Sequence, residues 1–279
     1  MNSERLRRPF ASLPVIMFVA TVNHQDTMGI ALSKRDSQRR ATYAPIEEDY
    51  PWVWALRDAD VLDWKKKYSS DHQKIQSHAQ EQSRLPVKIS DQLYLGDANS
   101  VRRVGQLEEK GITAVLNMAG PMALPKKTLN FLRQNEIRYK SIDSQDEFEY
   151  PLLAKHYNDA RKYLESVLSE GGTCVVHCVA GMNRSVLIVA AFYMLTTRTP
   201  VLETIRHIRC QRGNVALQNE GFQEQLVALA RRENLLGDEP GKPGSMKDFI
   251  PPPKAMKWMV RDTQSTKQNP LDKLNATVS

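Results

Sequence analysis

The sequence predicts an α/β fold, with a central, twisted, mostly parallel sheet flanked by helices. Three observations carry this expectation. From Leu85 onward, short apolar runs alternate with longer segments of helical periodicity, the order in which layered α/β chains are built. The run Thr173 to Val176 is as continuously apolar as a buried strand. Val186 to Leu195 is a second apolar run of helical length, so the residues between the two turn a buried strand directly into a buried helix.

Taken in order, Leu93 to Leu95, Ala114 to Met118, Arg138 to Ile142 and Thr173 to Val176 read as strands. Helices fill the intervals. They lie at Ser100 to Lys110, Lys126 to Asn135 and Leu152 to Ser169. Three more helical patterns follow, at Ser185 to Leu195, Val201 to Arg212 and Asn219 to Glu233. The turn between the fourth of these strands and the next helix lies where open α/β sheets place their ligands, at the carboxyl end of a central strand.

That turn reads His177-Cys178-Val179-Ala180-Gly181-Met182-Asn183-Arg184-Ser185, or H-C-x-x-G-x-x-R-S. A strand-to-helix turn is an anion site, because the first helical amides lack partners and the helix dipole favours negative charge there. Gly181 lets the backbone curl around an oxyanion. Arg184 presents a planar fork of donors that grips two phosphate oxygens at once. Cys178, at the loop entrance, would sit under the phosphorus, where inward amides and a guanidinium can lower a thiol pKa from about 8.5 to about 5. Ser185 can donate to that sulphur when the thiolate must leave. His177 is expected to orient the loop rather than act as a base. Val179, Ala180, Met182 and Asn183 complete the loop and carry no charge.

The nine residues resemble the signature loop of the cysteine-dependent phosphatases, in particular the dual-specificity protein phosphatase family. Val87 to Gly96 resembles that family's opening strand pair, Gly111 to Asn117 its next strand, and Asn219-Glu220-Gly221-Phe222-Gln223-Glu224-Gln225-Leu226 the start of its last helix. The resemblance spans residues 85–236. It implies the phosphatase-type three-layer fold and hydrolysis of phosphotyrosine and phosphoserine/threonine in proteins through a cysteinyl phosphate, with no cofactor and no metal. It also implies a general acid after the fourth strand. Asp143 fits the family's D-x-x-x-x-F pattern ending at Phe148, and Asp146 is the alternative, since a loop carboxylate can swing in. Similar loops occur in RNA 5′-phosphatases and phosphoinositide phosphatases. The lipid enzymes tend to place lysines at the loop positions that are uncharged here. A phosphate-binding module without turnover is the reading from a different class. Gln218 departs from the family, which often has proline before Asn219.

The 279 residues, 41% hydrophobic, support one ordinary core with extensions. A net charge of +7 suits an acidic, phosphorylated partner without choosing among them. Three cysteines without framework spacing point to a reducing compartment, hence the cytoplasm or nucleus. Residues 1–45 read as a disordered or targeting tail. Arg5, Arg7 and Arg8 precede an apolar run, and a start at Met28 would place Gly29 in a myristoylation motif followed by Lys34 and Arg35, allowing membrane contact if lipidated. Residues 46–84 read as a helical extension in which Trp52, Trp54 and Trp64 pack on the catalytic domain or dock a partner. Residues 237–279 read as a disordered, proline-containing tail, with Met256 and Trp258 a small apolar spot.

Overall fold

The computed structural model describes residues 43–57 and 78–240. Its five strands are β1 (Val87–Ser90), β2 (Leu93–Asp97), β3 (Ala114–Asn117), β4 (Arg138–Ser141) and β5 (Cys174–Cys178), in the order β1-β2-β5-β3-β4. β1 is antiparallel to β2, and the other pairs are parallel. Their helices are α1 (Ala98–Arg102), α2 (Val104–Glu109), α3 (Lys126–Gln134), α4 (Leu152–Ser169), α5 (Arg184–Thr197), α6 (Val201–Arg212) and α7 (Glu220–Arg232).

β5 is the middle of the sheet, and every residue in it is buried. The pleat sends alternate residues to opposite faces. Leu93, Leu95, Leu116, Cys174 and Val176 join the core under α4, α5, α6 and α7, whereas Val115 and Val175 join a second core with Val101, Leu107, Leu132 and Ile137 from α1, α2, α3 and the approach to β4. α5 is buried at every position from Ser185 to Met194, which is what a helix apolar all round requires. α4 buries Leu153, Tyr157, Ala160, Leu164 and Val167, a stripe at helical spacing.

Several boundaries shift by one or two residues, and two of the differences lie beside the loop. The helix expected over Ser100 to Lys110 is broken at Arg103 (φ −82°, ψ 71°) and begins earlier, because Asp97 caps it and accepts from Ser100 N at 2.7 Å. β5 runs past Val176 to Cys178, since Gly96, Asp97 and Asn117 on its neighbours provide ladder partners for His177 and Cys178. The first difference comes from a local cap, and the second from contacts between segments far apart in the sequence.

The segment before the sheet is part of the core. A turn at Glu47–Asp49 leads into a helix over residues 50–57, whose Val53 and Leu56 are buried against the α5–α7 side. Arg57 pairs with Glu224 at 2.7 Å, and the buried carboxylate of Asp49 lies 3.3 Å from Arg231. Trp52 packs partly on this core, but Trp54 is 57% exposed and meets only the Tyr50 ring among the aromatic contacts of the described residues, at 5.7 Å between centroids. The polar helix expected from Asp58 is described only over its last residues, as helix at 78–83. Met28, Gly29, Trp64, Met256, Trp258 and most of both tails lie outside the described residues. Among the described residues, no helix is long and apolar enough to cross a membrane.

Leu56 is 2% exposed, so its truncation leaves a cavity in a shared core. Leu56→Ala should cost about 2–4 kcal/mol, read as a lowered denaturant midpoint of a single unfolding transition. A change below about 0.5 kcal/mol, the range of ordinary surface substitutions, would mean that this segment does not belong to the core.

Candidate active site

The site is built where β5 ends and α5 begins. Between Cys178 and Arg184 the chain turns at Gly181 (φ +64°), and a Cβ there would lie 2.6 Å from the Gly96 carbonyl oxygen. Only glycine fits both the left-handed backbone and that close approach. Cys178, 1% exposed, sits beneath the turn, and its Sγ accepts from Gly181 N and from Ser185 Oγ, each at 3.3 Å.

The loop carbonyls all turn outward to named donors. Val179 O accepts from Ala98 N at 3.1 Å and Met182 O from Leu217 N at 2.7 Å. The buried Arg212 holds Gly181 O at 2.8 Å through Nε. In a trans peptide the N–H points opposite to the C=O, so the amides of this stretch face the cup above Cys178.

Arg184, the first residue of α5, donates from Nη1 to Ser144 O at 2.9 Å. Its Nε is buried with no hydrogen-bond partner, and at 3.9 Å the Asp146 carboxylate is an electrostatic neighbour only. A buried, unpaired guanidinium N–H beside inward amides is a donor set for an oxyanion.

His177 is fully buried. Its Nδ1 lies 3.1 Å from the Cys178 carbonyl, which can only accept, so Nδ1 carries the proton. Burial pushes the imidazole pKa down to about 4, and the hydrogen bond to Cys178 O only partly opposes this. Cys174, on the same strand, is pushed up to about 12 by burial, as befits a packed, inert thiol. Cys210, by contrast, is exposed on α6.

The two candidate acids are placed differently. Asp143 is exposed and stands against Gly120, where a Cβ would lie 2.6 Å from its Oδ1. Asp146 is brought to the loop: its Oδ2 accepts from Asn183 Nδ2 at 3.3 Å and its Oδ1 from Asn219 Nδ2 at 3.0 Å. The loop that carries it is clamped to the start of α7. A Cβ on Gly221 would collide with the Phe148 carbonyl, and Gln225 donates to Tyr150 O at 2.9 Å. A cleft of about 440 Å³ opens beside the loop, lined by Asp146, Phe148, Asn183, Gln218, Asn219 and Glu220. Gln218 thus stands on the rim, with its N–H donating to Asn183 Oδ1 at 2.9 Å.

Sequence reasoning gave Asn183 no role beyond being uncharged, yet it ties the acid loop, the phosphate-type loop and the approach to α7 together. Arg212 and Asp97 were also missed. Their only signal was that each is charged within or beside an element expected to be packed.

Because the folded imidazole of His177 has a pKa below the usual 6.5, the unfolded chain binds more protons between the two values. Its contribution to stability is therefore complete above about pH 6.5 and is lost as pH falls towards about 4, amounting to roughly 3 kcal/mol. A histidine-resolved NMR titration should show one imidazole neutral down to about pH 4, and His177→Asn should flatten the acid limb of the stability curve. An imidazole titrating near 6.5 would overturn this placement.

Comparison with known proteins gives a match to the family model for the dual specificity phosphatase catalytic domain over residues 93–232. Dual specificity protein phosphatase 26 of Bos taurus is 33% identical over 141 residues, which cover 50% of this chain and 64% of that protein. Dual specificity protein phosphatase 1 of Homo sapiens is 32% identical over 142 residues, 51% of this chain and 36% of that protein. Among solved structures, DUSP15 aligns over 53% of this chain and 90% of its own, with 28% identity and a TM-score of 0.45. The matches therefore span about two thirds or less of the curated relatives' own length.

Proposed function

The chain belongs to the dual-specificity phosphatase family, and from that premise we propose that it hydrolyses phosphotyrosine and phosphoserine/threonine in proteins through a cysteinyl phosphate. The observation that carries this reading is the Cys178 sulphur, buried at a strand end and receiving Gly181 N–H and the Ser185 hydroxyl, each at 3.3 Å.

In the first step the Cys178 thiolate attacks phosphorus, the S–P bond forms, and the ester P–O bond breaks. The departing oxygen takes a proton from a carboxylic acid, because an unprotonated alkoxide is a prohibitive leaving group at neutral pH. Arg184 Nε and the loop amides hold the equatorial oxygens as charge spreads over them. In the second step the same carboxylate takes a proton from water, water oxygen attacks phosphorus, and the S–P bond breaks. Ser185 donates to the departing thiolate. His177, neutral and fully buried, has no proton to trade and serves to hold the Cys178 carbonyl.

We assign the acid to Asp146 rather than Asp143. Asp146 is the carboxylate beside Arg184 and Asn183, on the rim of the cleft, whereas Asp143 lies beside Gly120. The uncharged loop positions favour a singly phosphorylated protein side chain over a multiply charged lipid headgroup or a nucleotide end. A thiol nucleophile requires a reducing compartment, so the cytoplasm or nucleus is its place. Of the two tryptophans among the described residues, the exposed Trp54 is the one available to a partner, since Trp52 packs inward.

Turnover of a phosphotyrosyl peptide against pH, without added metal, tests both assignments. Cys178→Ser should abolish it, and Asp146→Ala should lower kcat by about 10²-fold and remove the basic limb, while Asp143→Ala keeps that limb. The loss should shrink for p-nitrophenyl phosphate, whose leaving group needs little protonation. Loss of the basic limb in Asp143→Ala alone would return the role to Asp143, and a folded, reduced but inactive wild type would leave a phosphate-binding module.

A further inference from the structure

We infer that Gln82, which precedes the matched domain, is a positioning residue: with Arg212 it turns the loop peptides at Ala180 and Gly181 so that their amides face the bound oxyanion. The inference rests on the reading of this loop as the phosphate site. It begins with peptide geometry. Because C=O and N–H of a trans peptide point opposite ways, whatever captures a loop carbonyl aims the following amide.

Ala180 O is captured twice, by Gln82 Nε2 at 3.0 Å and by Arg212 Nη2 at 3.2 Å. The amide on the far side of that peptide belongs to Gly181, and it is the one that reaches Cys178 Sγ at 3.3 Å. Gly181 O is captured by Arg212 Nε at 2.8 Å, which aims Met182 N–H in the same way. Two residues therefore set the direction of two inward donors.

Gln82 also holds Arg212. The Arg212 side chain is among the largest fully buried ones, and burial works against its charge, which the Glu81 and Asp97 carboxylates and the Cys178 sulphur support. Its Nη2 donates to Gln82 Oε1 at 2.7 Å, while Gln82 Nε2 donates to Asp97 Oδ2 at 2.6 Å. A primary amide is the side chain that can accept from a guanidinium and donate to a carboxylate at once. Asp97 in turn pairs with Cys178 in the β2–β5 ladder and caps α1. Gln82 is thus a polar bridge between a buried cation and a buried anion, set directly behind the nucleophile's loop. Glu81, its neighbour, packs its carboxylate on Gly213 at the end of α6, so the segment is seated there by more than one residue.

The test compares wild type with Gln82→Met, which keeps the length of the side chain and removes all its hydrogen bonds, and with Gln82→Ala. Binding of tungstate, a tetrahedral oxyanion that is not turned over, is read by calorimetry on the full chain, beside kcat and KM for a phosphotyrosyl peptide and the melting temperature. Gln82→Met and Gln82→Ala should both weaken tungstate by about tenfold, the scale of one well-made charge-assisted hydrogen bond, and lower kcat/KM by a similar factor. Gln82→Met should still melt near wild type, which a packing role would not explain. If the Met variant binds tungstate as wild type does, the positioning role falls and the phosphatase reading stands. If wild type itself binds no oxyanion, both fall.

Discussion

Everything in the site follows from how close two backbones come at Gly181. The loop leans on the end of β2 so tightly that a Cβ would meet the Gly96 carbonyl at 2.6 Å, and the chain passes that point with φ +64°. Those two conditions force the turn to fold back over the strand that led into it. Cys178, paired with Asp97 in the ladder, is thereby covered by its own loop, and Val179 O is delivered to the first amide of α1 at 3.1 Å. A wider turn would leave the sulphur open and its amides aimed at solvent.

Covering a thiol in this way creates a polar debt, because a buried carbonyl without a donor costs about 1–3 kcal/mol. The molecule meets it with residues from remote segments. Ala98, Arg212, Gln82 and Leu217 each take a loop carbonyl, and Asn183 Oδ1 accepts the N–H groups of both Gln218 and Asn219, at 2.9 and 3.0 Å. The same Asn183 donates to Asp146, so the arrangement that satisfies the loop also sets the position of the carboxylate. The loop and the Asp146 carboxylate are held by one hydrogen-bonded structure, and neither can be moved alone.

The local parts of this were legible in the sequence. The apolar run into Cys178, the apolar helix after Arg184 and the residue types at Gly181, Arg184 and Ser185 each state their role over a few residues of chain, where periodicity and spacing are informative. The rest is not local. Counting along D-x-x-x-x-F picks Asp143, but which carboxylate meets the loop depends on where the Phe148 carbonyl seats against Gly221, some seventy residues later. The extension of β5 to Cys178 depends on ladder partners from β2 and β3. In the segment before the sheet, the tryptophans drew attention, while Val53 and Leu56 do the packing and Trp54 faces out. Nothing about a single glutamine in a polar stretch marks Gln82.

The preceding segments and the loop are joined through α6. Arg209 and Arg212 lie three residues apart, the spacing that puts two side chains on one face of a helix. Arg209 reaches Leu56 O at 3.0 Å through Nη1 and Ala216 O at 3.1 Å through Nε, so it ties the 50–57 helix to the stretch that runs up to the cleft. Arg212 reaches Gln82 and the loop carbonyls. Both are nearly buried, which is tolerable for guanidinium groups only when their donors are placed on acceptors. The family match begins at residue 93, yet acceptors for these two arginines come from residues 56 and 82. Without those earlier segments, Arg209 would lose Leu56 O and Arg212 would lose Gln82 Oε1. The hydrogen bonds that hold the loop carbonyls therefore draw on more of the chain than the family match covers.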